Sequence, residues 1–223
     1  MRLLKHHVIT GKILLKTGLH IGAGSETIQI GGMDNPIIKS PLKEYPYPYI
    51  PGSSLKGKMR SLLEWQAGKF GTKRGNENGP CDCGQCSICR MFGTAGSEES
   101  MQGPTRIIIR DAFPTSESIA RLKGMQQEKG LLYAEEKYEN TIDRVRGTSR
   151  NLRSAERVPA GIDFDFEIVL RVFDDDNEQE MLNKVKEALR LVQADALGGS
   201  GSRGYGKVEF VACKDESGAE FTL

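Results

Sequence analysis

Four of the chain's five cysteines, Cys81, Cys83, Cys86 and Cys89, fall within nine residues. Side chains crowded that closely do not suit a ladder of disulfides, whereas four soft thiolates converging on one ion make a structural zinc site. Zn²⁺ is therefore the expected structural cofactor. An iron–sulfur cluster is the competing reading, since Cys83-x-x-Cys86-x-x-Cys89 opens like a ferredoxin run, but the closing x-x-x-Cys-Pro is missing. If the tight Cys-x-Cys spacing leaves one thiolate short, His20 is available to replace it. Cys213 stands alone on a late apolar stretch and reads as core filler.

A second chemistry is anion binding. Gly198-Gly199-Ser200-Gly201-Ser202-Arg203-Gly204-Tyr205-Gly206 contains both a G-x-G-x-x-G pattern and a near phosphate loop. Both nucleotide motifs need a strand before and a helix after; here a helix precedes and a strand follows, which argues against nucleotide hydrolysis. The shared physics survives: most of these residues lack a side chain, so N–H groups can lie against a phosphate backbone, with Arg203 adding charge. The plainer alternative is a flexible connector. The helix expected after Pro51 carries Lys56, Lys58 and Arg60 near its N-terminus, where the dipole and free N–H groups favour anions. A second basic run, Arg144, Arg146, Arg150 and Arg153, falls in a polar insertion. Either run could instead be a solvated face.

These residues must be held by a fold that the periodicity outlines. A strand is expected over residues 6–16, followed by a long loop through Gly22, Gly24 and Asp34-Asn35-Pro36. A helix follows, with Ser54 as N-cap, Leu55, Met59, Leu62 and Leu63 as its apolar stripe, and Gly68 as its stop. Residues 106–112 read as a strand. The strongest strand signal sets Ile162, Phe164, Phe166, Ile168, Leu170 and Val172 on one face against Asp163, Asp165, Glu167 and Arg171 on the other. A helix to about Ala196 shows Leu182, Val185, Leu189 and Val192, with Gly198 at C′, and a last strand covers 207–212. Residues 69–103 and 113–157 are insertions. Without them the order is strand, helix, strand, strand, helix, strand, a ferredoxin-like (RRM-like) α+β arrangement in one domain of 223 residues. The aromatic pattern with which RNA-recognition sheets stack bases is missing, so any RNA is expected elsewhere than on the sheet.

Charge is balanced, 31 basic against 30 acidic side chains, so any basic site is local. Apolar runs fall far short of the roughly 20 residues of a membrane span, and no secretory pattern follows Met1. A cytoplasmic protein without a membrane partner is expected.

Leu19-His20-Ile21-Gly22, Asp34-Asn35-Pro36-Ile37-Ile38, Pro51 through Arg60, Glu139-Asn140-Thr141-Ile142-Asp143-Arg144 and Gly198 through Val208 together resemble one family. It is that of the third Csm subunits, RAMP-superfamily backbone subunits of type III-A CRISPR effector complexes. The resemblance is collinear from about residue 10 to 210 and weaker in the Cys-rich insertion and the arginine-rich stretch. It implies a ferredoxin-like palm, a thumb within 113–157, and head-to-tail stacking of copies along guide RNA (crRNA) with other Csm subunits. The Gly-rich loop and basic helix would hold the guide, with His20 as an RNA contact, while the guide pairs with complementary target RNA. It further implies that Asp34, with Mg²⁺ or another divalent cation, cuts the target at regular intervals as an endoribonuclease. By itself Asp-Asn-Pro is a common turn, and only the resemblance makes Asp34 catalytic. A non-catalytic RNA-binding scaffold is the alternative, and a metal-independent RAMP enzyme that processes precursor guide RNA is a third reading.

Overall fold

The computed structural model describes residues 1–24, 35–71, 78–94, 103–129 and 133–223, with the side chains of 127–129 left aside. Its elements in chain order are β1 (Leu3–Leu15), α1 (Gly52–Ala67), α2 (Ser87–Phe92), β2 (Ile107–Ile109), β3 (Phe113–Pro114), α3 (Ser116–Lys129), β4 (Glu135–Ile142), β5 (Ser149–Arg157), β6 (Asp163–Phe173), α4 (Glu178–Ala194) and β7 (Val208–Lys214). The fold is mixed α/β with antiparallel sheets. One sheet runs β2-β6-β1-β7, with β3 also on β6, and β4 and β5 form a separate two-stranded hairpin. No helix among the described residues is long and apolar enough to cross a membrane.

Register explains how the strand pattern becomes a core. Ile9 lies opposite Ile168, which lies opposite Ile109, and Ile13 is flanked by Phe164 and Phe210. Directly opposed residues of antiparallel strands share a face, so these side chains form one continuous apolar layer. Leu55, Met59, Leu62 and Leu63 of α1 and Met181, Val185, Ala188, Leu189 and Val192 of α4 are buried in the same cluster. Both stripes follow the expected spacing, except that Met181 is more deeply buried than Leu182.

The boundaries differ from the sequence expectation in instructive ways. Ser54 is not the N-cap of α1: Pro51 holds that position without a side-chain cap, and the N–H of Gly52 donates to the Asp111 carboxylate at 2.7 Å. Gly52 is needed there because a Cβ would stand 2.1 Å from the Ile109 carbonyl. At the other end Gly68 stops the helix in the left-handed conformation, as expected (φ 61°). Helix α4 ends at Ala194 with Asp195 as C-cap, so Gly198 is not its C′ residue. The insertion 113–157 contains a helix, α3, that its weak periodicity hides. Thr115 Oγ1 accepts the Ser118 N–H at its start, and Leu122 is buried.

Two acidic nodes fasten the cysteine-bearing insertion to the sheet. Asp176, which with Arg106 is fully buried, accepts from Arg90 Nε of α2 at 2.7 Å, from Arg106 Nε at 3.0 Å and from the Phe173 N–H at 3.0 Å. Glu64 of α1 accepts from Arg60 Nε at 2.7 Å and from the Cys81 N–H at 3.0 Å, while Arg60 Nη2 donates to the Cys81 carbonyl. Asp176 is buried, which by itself would raise its pKa, yet hydrogen bonds from Arg106, Phe173 and Arg90 bring it below the ordinary 3.8. A carboxyl depressed on folding contributes stability above its unfolded pKa, and that contribution is lost as pH falls through the folded value. Asp176→Asn should therefore cost about 3–5 kcal/mol by taking from Arg106 its buried carboxylate and leaving it the more distant, half-exposed Asp175 at 3.8 Å, as measured by urea unfolding at pH 7. Half-exposed Asp175→Asn should cost under about 1 kcal/mol. The gap between Asp176→Asn and wild type should close as the medium is acidified below pH 3.8; a constant gap down to acid unfolding contradicts the role given to the charge.

Candidate functional site

Two of the features that the sequence singles out, His20 and the Gly-rich loop, meet at the root of the β4–β5 hairpin, and Glu156, which the sequence does not single out, organises that meeting. Glu156 is buried near the end of β5. Its Oε2 accepts the Ile37 N–H at 2.8 Å and its Oε1 takes the Lys39 ammonium at 2.6 Å. Its main chain is shared too: the N–H donates to the Asn35 carbonyl at 3.0 Å, and the carbonyl accepts from His20 Nδ1 at 2.7 Å. A carbonyl only accepts, so His20 Nδ1 carries a proton, and Nε2 is the ring nitrogen that Glu156 does not engage. The Ala23 N–H donates to Pro36 and the Ile38 N–H to Ile21, so residues 21–23 and 36–38 pair beside His20. Asp34 lies outside the described residues; its neighbour Asn35 is the first described residue after it, bound to Glu156 and, through Nδ2, to the Ser154 carbonyl at 3.4 Å.

The Gly-rich loop packs against this same segment and is no flexible connector. The Gly199 N–H donates to the His20 carbonyl at 2.8 Å, the Gly206 N–H to Gly18 at 2.9 Å, and the Leu197 N–H to Gly206 at 2.9 Å. A Cβ on Gly198 would stand 2.4 Å from the His20 carbonyl, and one on Gly206 would stand 1.9 Å from that of Leu197. Both glycines hold positive φ, so conformation and contact each require them. Gly198, Gly199, Ser200, Ser202, Arg203 and Gly204 are exposed, with Gly201 half-buried in a short 3₁₀ turn.

Tyr205, expected on RNA, is instead buried, with the Lys137 ammonium 4.3 Å and the Arg157 guanidinium 5.1 Å from its ring centre. Burial pushes its phenol up, as does the nearby Glu139 carboxylate. Its ring packs the loop against the hairpin, a task Arg203 shares through a 2.6 Å ion pair with Glu139. On α1, Lys58 pairs with Asp195 at 2.7 Å, and Lys56 is half-buried with its pKa lowered by burial and by Arg60 and Arg171. Arg60 is turned inward to Glu64 and Cys81, so its guanidinium serves the fold and is not displayed. Of the residues expected to face a ligand, Arg60 and Tyr205 are thus turned inward, while Lys56 and Lys58 are partly exposed and Gly198–Gly204 largely so.

The four cysteines converge: their Sγ atoms all lie within 4.8 Å of one another. Tetrahedral coordination at a metal–sulfur distance of about 2.3 Å places sulfurs about 3.8 Å apart, and Cys83 and Cys89 are at 3.9 Å, so the donor set fits a soft divalent ion. Cys86 caps α2, its Sγ accepting the Cys89 N–H at 3.4 Å. Burial pushes the Cys81 and Cys89 thiols up. At Cys83 burial also raises the thiol but is outweighed by the N–H groups of Gln85 and Cys86 and by neighbouring thiols, which hold it at about 6. His20 bonds to Glu156 and not to this cluster.

The model of the RAMP superfamily matches residues 12–209, and a protein of Methanothermobacter thermautotrophicus named CRISPR system Cms endoribonuclease Csm3 is 48% identical over 221 residues, covering 94% of this chain and 85% of that one. The chain belongs to the Csm3 family of the RAMP superfamily. A Csm3 relative of the same name from Mycobacterium tuberculosis is 37% identical, over 91% of this chain and 85% of its own. Among solved structures, a Csm3-Csm4 subcomplex of a type III-A CRISPR-Cas interference complex aligns with TM-score 0.60 and 31% identity over 97% of this chain and 83% of that one. Methanopyrus kandleri Csm3 aligns with TM-score 0.57 and 28% identity over 92% and 75%.

The close approaches of the Csm3-family loop predict a contrast between two glycines of positive φ. Gly204 has nothing within 4 Å of an added Cβ, whereas Gly206 has a carbonyl at 1.9 Å. Gly204→Ala should cost about 1–2 kcal/mol from backbone strain alone, and Gly206→Ala clearly more, lowering the thermal midpoint further. Equal midpoints would show that the loop is not packed as described.

Proposed function

We propose that the chain is a backbone subunit of a type III-A CRISPR Csm effector complex that binds guide RNA along a helical stack of its own copies. In that assembly it cleaves complementary target RNA at regular intervals as a metal-dependent endoribonuclease. The observation that carries this reading is the convergence on Glu156. One buried residue holds His20, the exit of the Asp34 loop and the hairpin root, with the Gly-rich loop packed on His20. The family membership, the endoribonuclease names of relatives and the likeness to a Csm3-Csm4 subcomplex support it.

In this reading the whole chain is one RAMP domain working in the cytoplasm. The larger sheet with α1 and α4 is a ferredoxin-like palm, supported by its order: the first and third palm strands, β1 and β6, lie at the centre, and β2 and β7 at the edges. Residues 69–103 form the Cys-rich lobe, and the β4–β5 hairpin within 113–157 is the thumb. The guide backbone lies against the exposed part of Gly198–Gly204 and against Lys56 and Lys58, where phosphate competes with Asp195 for the Lys58 ammonium. His20 accepts from a ribose 2′-OH through Nε2. Asp34 holds a hard divalent cation such as Mg²⁺, which when bound supplies neutralising charge at the scissile phosphate. The chain's own contribution is positional: Glu156 holds Asn35 and Ile37, which follow Asp34 in the chain, while RNA whose displaced linkage brings its 2′-OH in line with phosphorus supplies the nucleophile. Separately, Cys81, Cys83, Cys86 and Cys89 bind structural Zn²⁺.

Two measurements test these readings. In an assembled complex, Asp34→Asn should leave guide content and target affinity near wild type while every regularly spaced cut fades together. Cutting at the wild-type rate would make the subunit a scaffold, and cutting that survives EDTA would favour metal-independent chemistry. Metal analysis of chain purified without chelator should give about one zinc per chain, and less than half an equivalent removes the zinc assignment.

A further inference from the structure

The chain's single tryptophan, Trp65, is 64% exposed on the last turns of α1, and Phe70, just beyond the helix, is 62% exposed. An isolated exposed apolar residue needs no explanation, but the surroundings of this one do. Trp65 follows Lys58 by seven residues, which places them within about 20° around the helix and about 10 Å apart along it. The Lys58 ammonium sits 5.9 Å from the Trp65 ring centre, and exposed Lys69 lies between Trp65 and Phe70 in sequence. Between Pro51 and Phe70 the basic residues are Lys56, Lys58, Arg60 and Lys69, and the lone acid is Glu64, which is buried and committed to Arg60 and Cys81. The outer surface of α1 is thus an aromatic face set among positive charges without an exposed carboxylate of its own.

We infer that Trp65 is a stacking platform for an unpaired nucleobase of single-stranded RNA whose backbone is held at the N-terminal half of the same helix. The inference rests on the proposed RNA contact of Lys56 and Lys58 and extends it by a further binding residue. Ligand chemistry follows from the combination: a polyanion satisfies the lysines, and only a polyanion that also carries flat π faces uses the indole. Arg60 is spent on Glu64 and Lys58 is shared with half-exposed Asp195, so the charge left for a ligand is that of exposed Lys69, of Lys56 and of a Lys58 ammonium that phosphate can take over, which favours a polyanion.

The experiment uses the full-length chain and a short single-stranded oligoribonucleotide, with binding followed by anisotropy of labelled RNA and, separately, by tryptophan emission with unlabelled RNA. The one tryptophan makes the emission unambiguous. Emission should fall in step with the anisotropy rise, and a duplex of the same sequence, whose bases are already stacked, should quench it far less. Trp65→Ala should weaken single-strand binding by about tenfold or more, while Trp65→Phe keeps most of the affinity. The site is exposed, so both variants should unfold like wild type. Unquenched emission and unchanged affinity of Trp65→Ala, with anisotropy still rising, overturn the platform but leave RNA binding by α1 intact. If Trp65→Ala instead loses only self-association, the face belongs to a neighbouring copy and the platform also falls. Absence of any anisotropy change overturns the RNA-binding reading itself.

Discussion

Burying the Glu156 carboxylate is the constraint on which the candidate site depends. A desolvated carboxylate costs several kcal/mol unless hydrogen bonds and a counter-charge compensate it. Here the compensation comes from the Ile37 N–H and the Lys39 ammonium, groups 119 and 117 residues away in sequence. The requirement thus reaches across the chain and brings residues 35–39 onto the hairpin root. Because the main chain of Glu156 also engages His20 and Asn35, the compensation sets a small local geometry as well as stabilising a contact.

Around that node the chain is packed backbone to backbone. Segments 16–20 and 197–207 exchange hydrogen bonds at several points, which side chains at Gly198 and Gly206 would prevent. The rest of the loop is exposed while its inner edge is anchored, and the N–H groups of Arg203 and Gly204 close its 3₁₀ turn onto Ser200 and Gly201. Tyr205 and Arg203 extend the frame to the hairpin, using one buried ring and one ion pair. The cations over the ring are neutralised from the side by Glu135 and Glu139, and Glu139 also takes Arg203, so loop and hairpin meet through opposite charges.

The cysteine insertion is tied to the rest of the chain by charge as well as by Ile88, Met91 and Phe92 of α2, which are buried in the core. Its first thiol-bearing residue, Cys81, is gripped at N–H and carbonyl by Glu64 and Arg60, and its helix is gripped through Arg90 by Asp175 and Asp176. Each grip spends a charge that the sequence offers equally to solvent or to a ligand. The inward turn of Arg60 follows directly, and Lys58 on the same helix is held by Asp195, from beyond the end of α4.

Periodic patterns in the sequence were enough for the buried face of β6, the stripes of α1 and α4, the stop at Gly68 and the clustering of four thiols. Each depends on residues a few positions apart, and burial acts on them through a local period. The resemblance in five short stretches likewise sufficed for the family. Tertiary structure alone decided that Asp111 rather than Ser54 caps α1, that Tyr205 faces inward, that Arg60 belongs to the lobe and that Glu156 stands at the centre. Those outcomes turn on polar groups whose role is set by the partner that arrives. The partners come from 59, 21 and 119 residues away, separations over which no sequence period carries information.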